Sequence, residues 1–157
     1  MITSEYINPF IDATVSTVEM MCGLKPRRKG DLQLKKWIAN DHHIIGVLGV
    51  SGGVRGSVLL TLNPDVGTKL VTNFLGEPPE DNSELADGIA ELLNILVGAA
   101  MADLKNVQLS LPTVIMGNGE EIYTRHSSPW IVIPMTIPDI GDFSIEISTL
   151  EAGKENK

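Results

Sequence analysis

Hydrophobic positions change their spacing several times along the chain, and each spacing is typical of one kind of element. In three stretches the apolar residues recur at helical intervals, whereas other stretches alternate with period two or form short β-branched runs. The predicted order is a helix, a hairpin, a short helix, a long helix, a strand and a second hairpin. Helices mixed with antiparallel strand pairs indicate an α+β fold.

Start and stop signals set the predicted bounds of the helices. Asn8-Pro9 and Asn63-Pro64 each place a good capping residue before a proline that suits the first helical turn. They predict helices over 10–21 and 65–75, and a glycine shortly after each helix can end it. The longest helix is predicted over 83–104, with the serine at its first position as the cap.

Two hairpins account for most of the predicted sheet. The first covers 43–62 and turns at Ser51-Gly52-Gly53, and the second covers 130–150. Residues 151–157 form a polar C-terminal tail that is expected to be flexible. Residues 1–150 are therefore predicted to fold as a single domain.

A weak internal similarity relates the two halves of the chain. Asp12 and Gly23 at the first helix have the same separation, 11 residues, as Asp87 and Gly98 in the long helix. A hairpin lies downstream of each helix. This pattern suggests a pseudo-repeat of one α-β-β unit, although chance also explains a match of two residues.

Composition narrows the kinds of partner. Hydrophobic residues make up 43% and charged residues 20% of 157 residues, which is typical of one globular domain rather than a disordered chain. Acidic residues outnumber basic ones by 20 to 12, and the net charge of −8 disfavours nucleic acid and anionic membranes as partners. The chain shows neither a transmembrane run nor a signal peptide. Cys22 is the only cysteine, so no internal disulfide is possible and a cytoplasmic protein is expected.

The long helix carries a narrow polar stripe. At about 100° per residue, Asp87, Glu91, Asn94 and Gly98 fall within a sector of about 60°, while most of the remaining circumference is apolar. A helix that is apolar almost all round belongs in a core. Asn is unfavourable inside a helix, and a glycine there costs about 1 kcal/mol relative to alanine. The stripe is either the solvent-exposed edge of a buried helix or a surface that a partner approaches closely.

The stripe also resembles a family signature. Glu-x-x-Asn within Asp87-Gly-Ile-Ala-Glu91-Leu-Leu-Asn94-Ile-Leu-Val-Gly98 is similar to the signature helix of the CheC/CheX/FliY family, phosphatases that dephosphorylate the chemotaxis response regulator CheY. Three further segments resemble the family in the same order, namely Asn8–Ile11, Gly46–Leu60 and Leu109–Gly117. The single intact helix is similar to the CheX branch, because Ser16 and Glu19 stand where the CheC branch would carry a second pair.

The resemblance implies a CheX/CheC-like fold, with helices packed on a largely antiparallel sheet built from α-β-β units. It implies an enzyme that hydrolyses the aspartyl phosphate on a CheY-type receiver domain. Asn94 would place the attacking water and Glu91 would pair with the receiver's lysine, while Asp87 and Gly98 would border the docking surface. The implied assembly is a homodimer. Mg²⁺ is expected on the receiver, and no cofactor or metal is expected on this chain.

A second hypothesis is a non-catalytic module that binds receivers, or acts in a flagellar switch, through the same surface. The intact pair of Glu91 and Asn94 favours the phosphatase, since a scaffold does not need the amide. Elsewhere, we interpret His42-His43 as surface, Cys22 as a small buried hydrophobe, and Trp37 and Trp130 as filling between the sheet and the helices.

Overall fold

The computed structural model describes residues 4–35, 38–39, 43–117, 121–122 and 130–152. In chain order, the elements in these ranges are α1 (Ser4–Cys22), β1 (Arg27–Arg28), β2 (Gln33–Lys35), β3 (Ile38–Ala39), β4 (Ile44–Gly52), β5 (Val54–Leu62), α2 (Pro64–Leu75), α3 (Asn82–Ala100), β6 (Val107–Leu109), β7 (Thr113–Met116), β8 (Glu121–Ile122), β9 (Trp130–Ile137) and β10 (Gly141–Ala152). Within the same ranges, every helix is too short or too polar to cross a membrane.

Eight strands form one antiparallel sheet in the order β1-β9-β10-β5-β4-β6, with β2 also paired to β9 and β7 also paired to β4. Strands β3 and β8 form a separate antiparallel pair. The two predicted hairpins are β4–β5 and β9–β10, and they join through the pairing of β5 with β10. The prediction of an α+β fold, with helices packed on a largely antiparallel sheet, is confirmed.

The strand order contains the predicted pseudo-repeat. Exchanging strands β1 to β5 for strands β6 to β10 reverses the order of the sheet and leaves every pairing unchanged. In each half, the first two short strands pair with the hairpin of the other half, since β1 and β2 pair with β9 whereas β6 and β7 pair with β4. The third short strands, β3 and β8, pair with each other. The matched glycines do not reflect this repeat, because Gly23 lies beyond α1 with φ of +66° whereas Gly98 lies inside α3.

The core lies between one face of the sheet and the three helices. Phe10 of α1 and Leu93 of α3 are fully buried in it, together with Leu48 of β4. Gly46 of β4 lies directly under α3, and a Cβ there would be 3.1 Å from Leu93 Cδ2 and 3.7 Å from Ile89 Cγ2. The glycine therefore lets α3 pack closely on the sheet, which fixes the position of the helix's outer surface.

Helix α1 and strand β10 extend beyond their predicted bounds. Helix α1 begins at Ser4 rather than at the Asn8-Pro9 signal, so the proline lies inside the helix. The proline removes a single backbone hydrogen bond near the helix start, and the burial of Ile7 in the preceding turn offsets that loss. Strand β10 continues to Ala152, so strand pairing reaches into the segment predicted as a tail.

The opposite face of the sheet carries a small apolar cluster of its own. Trp130, Ile45 and Leu59 are buried together there. The interpretation of Trp130 as filling between the sheet and the helices is therefore wrong. Side chains alternate between faces along a strand, and Ile131 and Ile133, not Trp130, pack with the helix-side core.

Candidate functional site

Helix α3 is a buried helix with one open side. Asp81, rather than the predicted Ser83, caps it, because the Asp81 carboxylate accepts a hydrogen bond from the N–H of Glu84 at 2.8 Å. The helix ends at Ala100, earlier than predicted. Its buried residues are Leu85, Gly88, Ile89, Leu92, Leu93, Leu96, Val97 and Ala100.

The four predicted site residues lie together on the open side of α3, and we name them the α3 strip. Asp87, Glu91 and Asn94 are exposed, and Gly98 is half-exposed. Spacings of three and four residues place neighbouring Cβ atoms on a helix about 5–6 Å apart. In the described part of the chain, the three polar side chains form no hydrogen bond or ion pair. Their polar groups are therefore available to a partner.

The two glycines of α3 have different surroundings. A Cβ added at Gly88 would lie 2.7 Å from Val71 Cγ1, so close packing between α2 and α3 explains this glycine. A Cβ added at Gly98 would have no described neighbour within 4 Å. Packing among the described residues therefore does not account for Gly98, although glycine disfavours the helix at that position.

A cleft of about 460 Å³ joins the α3 strip to the loop between β6 and β7. Its lining residues are Asp87, Ala90, Glu91, Asn94, Leu111 and Pro112. Leu111 is 90% exposed. The sequence does not single out Leu111 as a site residue, since Pro112 marks a break in the strand but does not show where the neighbouring side chain points.

A larger cleft, of about 530 Å³, lies between α1 and the end of α3. Its polar lining side chains are Asp12, Ser16 and Asp103, and none of the α3 strip lines it. This cleft offers carboxylates and a hydroxyl but no amide. Its chemistry therefore differs from that of the predicted site, and its size alone does not make it one.

Other residues considered from the sequence have structural roles. The Nδ1 of half-buried His43 lies 3.0 Å from the carbonyl oxygen of Gly117, which connects the start of β4 to the end of β7. His42 and Trp37 lie outside the described residues. Cys22 is buried as predicted, and burial raises the pKa of its thiol from 9.0 to about 11. Little nucleophilic thiolate therefore forms at neutral pH. Across the described ranges, no group of three or more His, Cys, Asp or Glu residues could hold a metal ion.

The fold and the α3 strip together define an α+β domain that presents a carboxylate and an amide on an open surface, which suits a macromolecular partner. The chain belongs to the family described as chemotaxis phosphatase CheX, whose model matches residues 44–136. The match begins at β4, ends within β9 and includes the whole of α3. The resemblance found in the sequence is thereby confirmed.

Individual relatives agree with this family. The CheY-P phosphatase CheX of Thermotoga maritima is 24% identical over 153 residues, which cover 94% of this chain and 97% of that protein. The crystal structure of a chemotaxis protein CheX from Desulfovibrio desulfuricans is 29% identical, with a TM-score of 0.82 over 94% of this chain and 99% of that one. A CheX–CheY–BeF3–Mg²⁺ complex from Borrelia burgdorferi contains a chain of the same fold, with 22% identity and a TM-score of 0.76 over 91% of this chain and 96% of that one.

Proposed function

We propose that this chain is a phosphatase that accelerates hydrolysis of the aspartyl phosphate on a CheY-type receiver domain and so terminates a chemotaxis signal. Membership of the CheX family and similarity to the Thermotoga CheY-P phosphatase support this activity. The observation that carries the proposal is the exposed pair of Glu91 and Asn94 on the open side of a helix whose other side is buried. A carboxylate and an amide three residues apart can engage neighbouring groups of one partner.

Asn94 has the chemistry needed to place a water for in-line attack on the phosphoryl group. Its Oδ1 accepts a hydrogen bond from the water, and its Nδ2 donates one to the water or to a phosphoryl oxygen. Mg²⁺, which is expected on the receiver, neutralises charge on the phosphoryl group, so the main remaining requirement is the position of the water. The attack breaks the bond between phosphorus and the aspartyl oxygen and yields inorganic phosphate and a free carboxylate.

Glu91 is assigned to docking rather than to proton transfer. The repulsion between a carboxylate and an anionic phosphoryl group disfavours placing Glu91 beside the attacking water. A pair with the receiver's lysine instead forms a charge-assisted hydrogen bond that sets the register of α3 against the receiver. Asp87 and Gly98 border the same surface, where Asp87 adds negative charge and Gly98 permits close approach.

The rigidity of α3 makes this division of roles workable. Its inner face is buried from Leu85 to Ala100, and Gly46 lets it pack closely on β4. Once Glu91 has docked, the helix therefore fixes where the amide of Asn94 lies. Side chains held on a rigid element keep the geometry that in-line attack of water on the phosphoryl group requires.

The lifetime of a phosphorylated receiver, measured in Mg²⁺ with and without this protein, tests the proposal. We expect the protein to shorten the lifetime, and we expect Asn94→Ala and Glu91→Ala each to remove most of that effect. Glu19→Ala is the matched control, since Glu19 is an exposed carboxylate on α1, outside the α3 strip. An unchanged lifetime for every receiver of the organism, despite measurable binding, would favour the non-catalytic receiver-binding module instead.

We further propose that the protein works in the cytoplasm as a homodimer. The resemblance implies the dimer, and the net charge of −8 disfavours attachment to an anionic membrane. Light scattering at several concentrations measures the particle mass, for which one chain contributes 17.0 kDa. A one-chain mass at micromolar concentration would contradict the dimer, and recovery in the membrane fraction would contradict the location.

A further inference from the structure

We infer that Leu111 is an apolar anchor for the receiver domain, which binds over it beside the α3 strip, and that Leu111 sets affinity rather than the rate of the chemical step. The inference rests on the proposed function, because the occupant it names is the receiver that Glu91 and Asn94 face. Large hydrophobic residues exposed in the described chain are Met20, Leu32, Leu34, Leu75 and Leu111, and Leu111 is the most exposed of them. Singly exposed apolar residues are common. Leu111 is distinguished by its position beside the α3 strip and by the backbone contacts that hold it there.

Leu111 shares a cleft with the polar site. One wall of the cleft presents Asp87, Glu91 and Asn94, and the other presents Leu111 and Pro112. The cleft is open to solvent, so it suits a protruding macromolecular surface better than an enclosed small molecule. A complementary partner carries a cation beside an apolar patch. The lysine that the proposed function assigns to the receiver supplies that cation.

A bulge in the edge strand places Leu111 outside the regular ladder. Between the pairings of β6 and β7 with β4, residues 110–112 lie opposite residues 48–49, so this segment has one residue more than its partner. A bulge bends its strand and re-aims side chains, and bulges recur beside active sites. Pro112 fits such a position because it has no backbone N–H to leave unpaired.

Two hydrogen bonds between Ser110 and Gly49 hold the start of the bulge in place. The N–H of Ser110 donates to the carbonyl oxygen of Gly49 at 2.8 Å, and the N–H of Gly49 donates to Ser110 Oγ at 2.8 Å. Gly49 also leaves room for that hydroxyl, since a Cβ there would lie 3.4 Å from Ser110 Oγ. Leu111 follows directly after this contact and is therefore presented on an ordered backbone. An ordered apolar anchor loses less conformational entropy when a partner covers it.

Phosphate-loss kinetics over a range of receiver concentrations separate affinity from chemistry. For Leu111→Ala we expect kcat/KM to fall about tenfold through a higher KM, with kcat within about twofold of wild type. Leu111→Met keeps an apolar side chain of similar volume, and we expect it to retain most of the affinity. Leu34→Ala is the matched control, because Leu34 is 71% exposed but lies in β2 at the other edge of the sheet.

The outcomes distinguish failure of the anchor from failure of the proposed function. If wild type shortens the receiver's lifetime and Leu111→Ala has an unchanged KM, the anchoring role of Leu111 is contradicted and the phosphatase activity is confirmed. A lower kcat at unchanged KM also overturns the anchor, because Leu111 would then affect positioning. If wild type has no effect on the lifetime, the phosphatase is contradicted. Titration with a beryllofluoride-activated receiver then tests whether Leu111 contributes to binding. The proposed role of Leu111 is contradicted if Leu111→Ala binds as tightly as wild type or if neither protein binds.

Discussion

Replacing Gly98 with alanine is predicted to make the protein more stable and less active. Gly98 lies inside α3, where alanine is favoured over glycine by about 1 kcal/mol. The added Cβ meets no described atom within 4 Å, so no internal overpacking offsets the gain. For a chain of 157 residues, a gain of about 1 kcal/mol corresponds to a rise in Tm of roughly 2–4 °C.

The loss of activity follows if the receiver's backbone approaches α3 at Gly98. A methyl group inserted into a close contact costs about 1–3 kcal/mol. That cost corresponds to a fall in kcat/KM of about 5- to 150-fold. Urea denaturation measures the free energy of unfolding, and phosphate loss from the receiver measures kcat/KM on the same preparation.

Gly88→Ala is the matched control within the same helix. Its Cβ would lie 2.7 Å from Val71 Cγ1, so overpacking of about 1–3 kcal/mol is expected to outweigh the gain in helix propensity of about 1 kcal/mol. We expect lower stability and nearly normal kcat/KM per folded molecule. A Gly98→Ala protein that is more stable and equally active would show that Gly98 has no role at the docking surface.

Three further predictions concern stability measured by denaturation. Burial raises the pKa of Cys22 from 9.0 to about 11, and the unfolded chain therefore loses its thiol proton first as the pH rises. The free energy of unfolding should therefore fall as the pH rises from 9.0 to about 11, and the loss should reach roughly 2 kcal/mol at the upper pH. The Cys22→Ala protein should not show this loss. Leu93→Ala removes a fully buried side chain between α3 and β4 and should lower the free energy of unfolding by about 2–5 kcal/mol; a loss below about 1 kcal/mol would contradict the packing of α3. Asn63→Ala removes the acceptor for the N–H of Val66 at the start of α2 and should cost about 1 kcal/mol. An unchanged Tm for Asn63→Ala would contradict the capping role of Asn63. A loss of stability at alkaline pH that persists in Cys22→Ala would contradict its assignment to the buried thiol.

The elements predicted best are those whose signals act within a few residues. Asn63 caps α2 as expected, and Gly76 ends it with φ of +85°, a conformation that glycine adopts without strain. The first hairpin turns at Gly52, whose φ is +96°. Turn and cap chemistry of this kind depends on backbone geometry that the local sequence already determines.

The features that sequence did not predict depend on contacts between distant segments. Helix α1 starts early because Ile7 finds a place in the core, and Trp130 faces away from the helices because of where β9 pairs in the sheet. Periodicity shows that a strand has two faces but does not show what covers each face.

The two walls of the candidate site also differ in how well the local sequence predicts them. The spacing of Glu91 and Asn94 within one helix was enough to predict that they share a face, and both are exposed there. Leu111 joins them only because β4 holds the bulge between β6 and β7 beside α3. No local pattern encodes that juxtaposition, so the apolar wall could be recognised only in the folded chain.

The Asn94→Ala protein tests the role of Asn94 most directly, with turnover of the phosphorylated receiver measured beside binding to a beryllofluoride-activated receiver. We expect kcat to fall about 100-fold or more, because a group that positions the reacting atoms is lost, while Kd stays within about threefold of wild type. An unchanged kcat would show that Asn94 does not place the water. Binding and turnover lost in parallel would make Asn94 a docking residue, which also contradicts the mechanism.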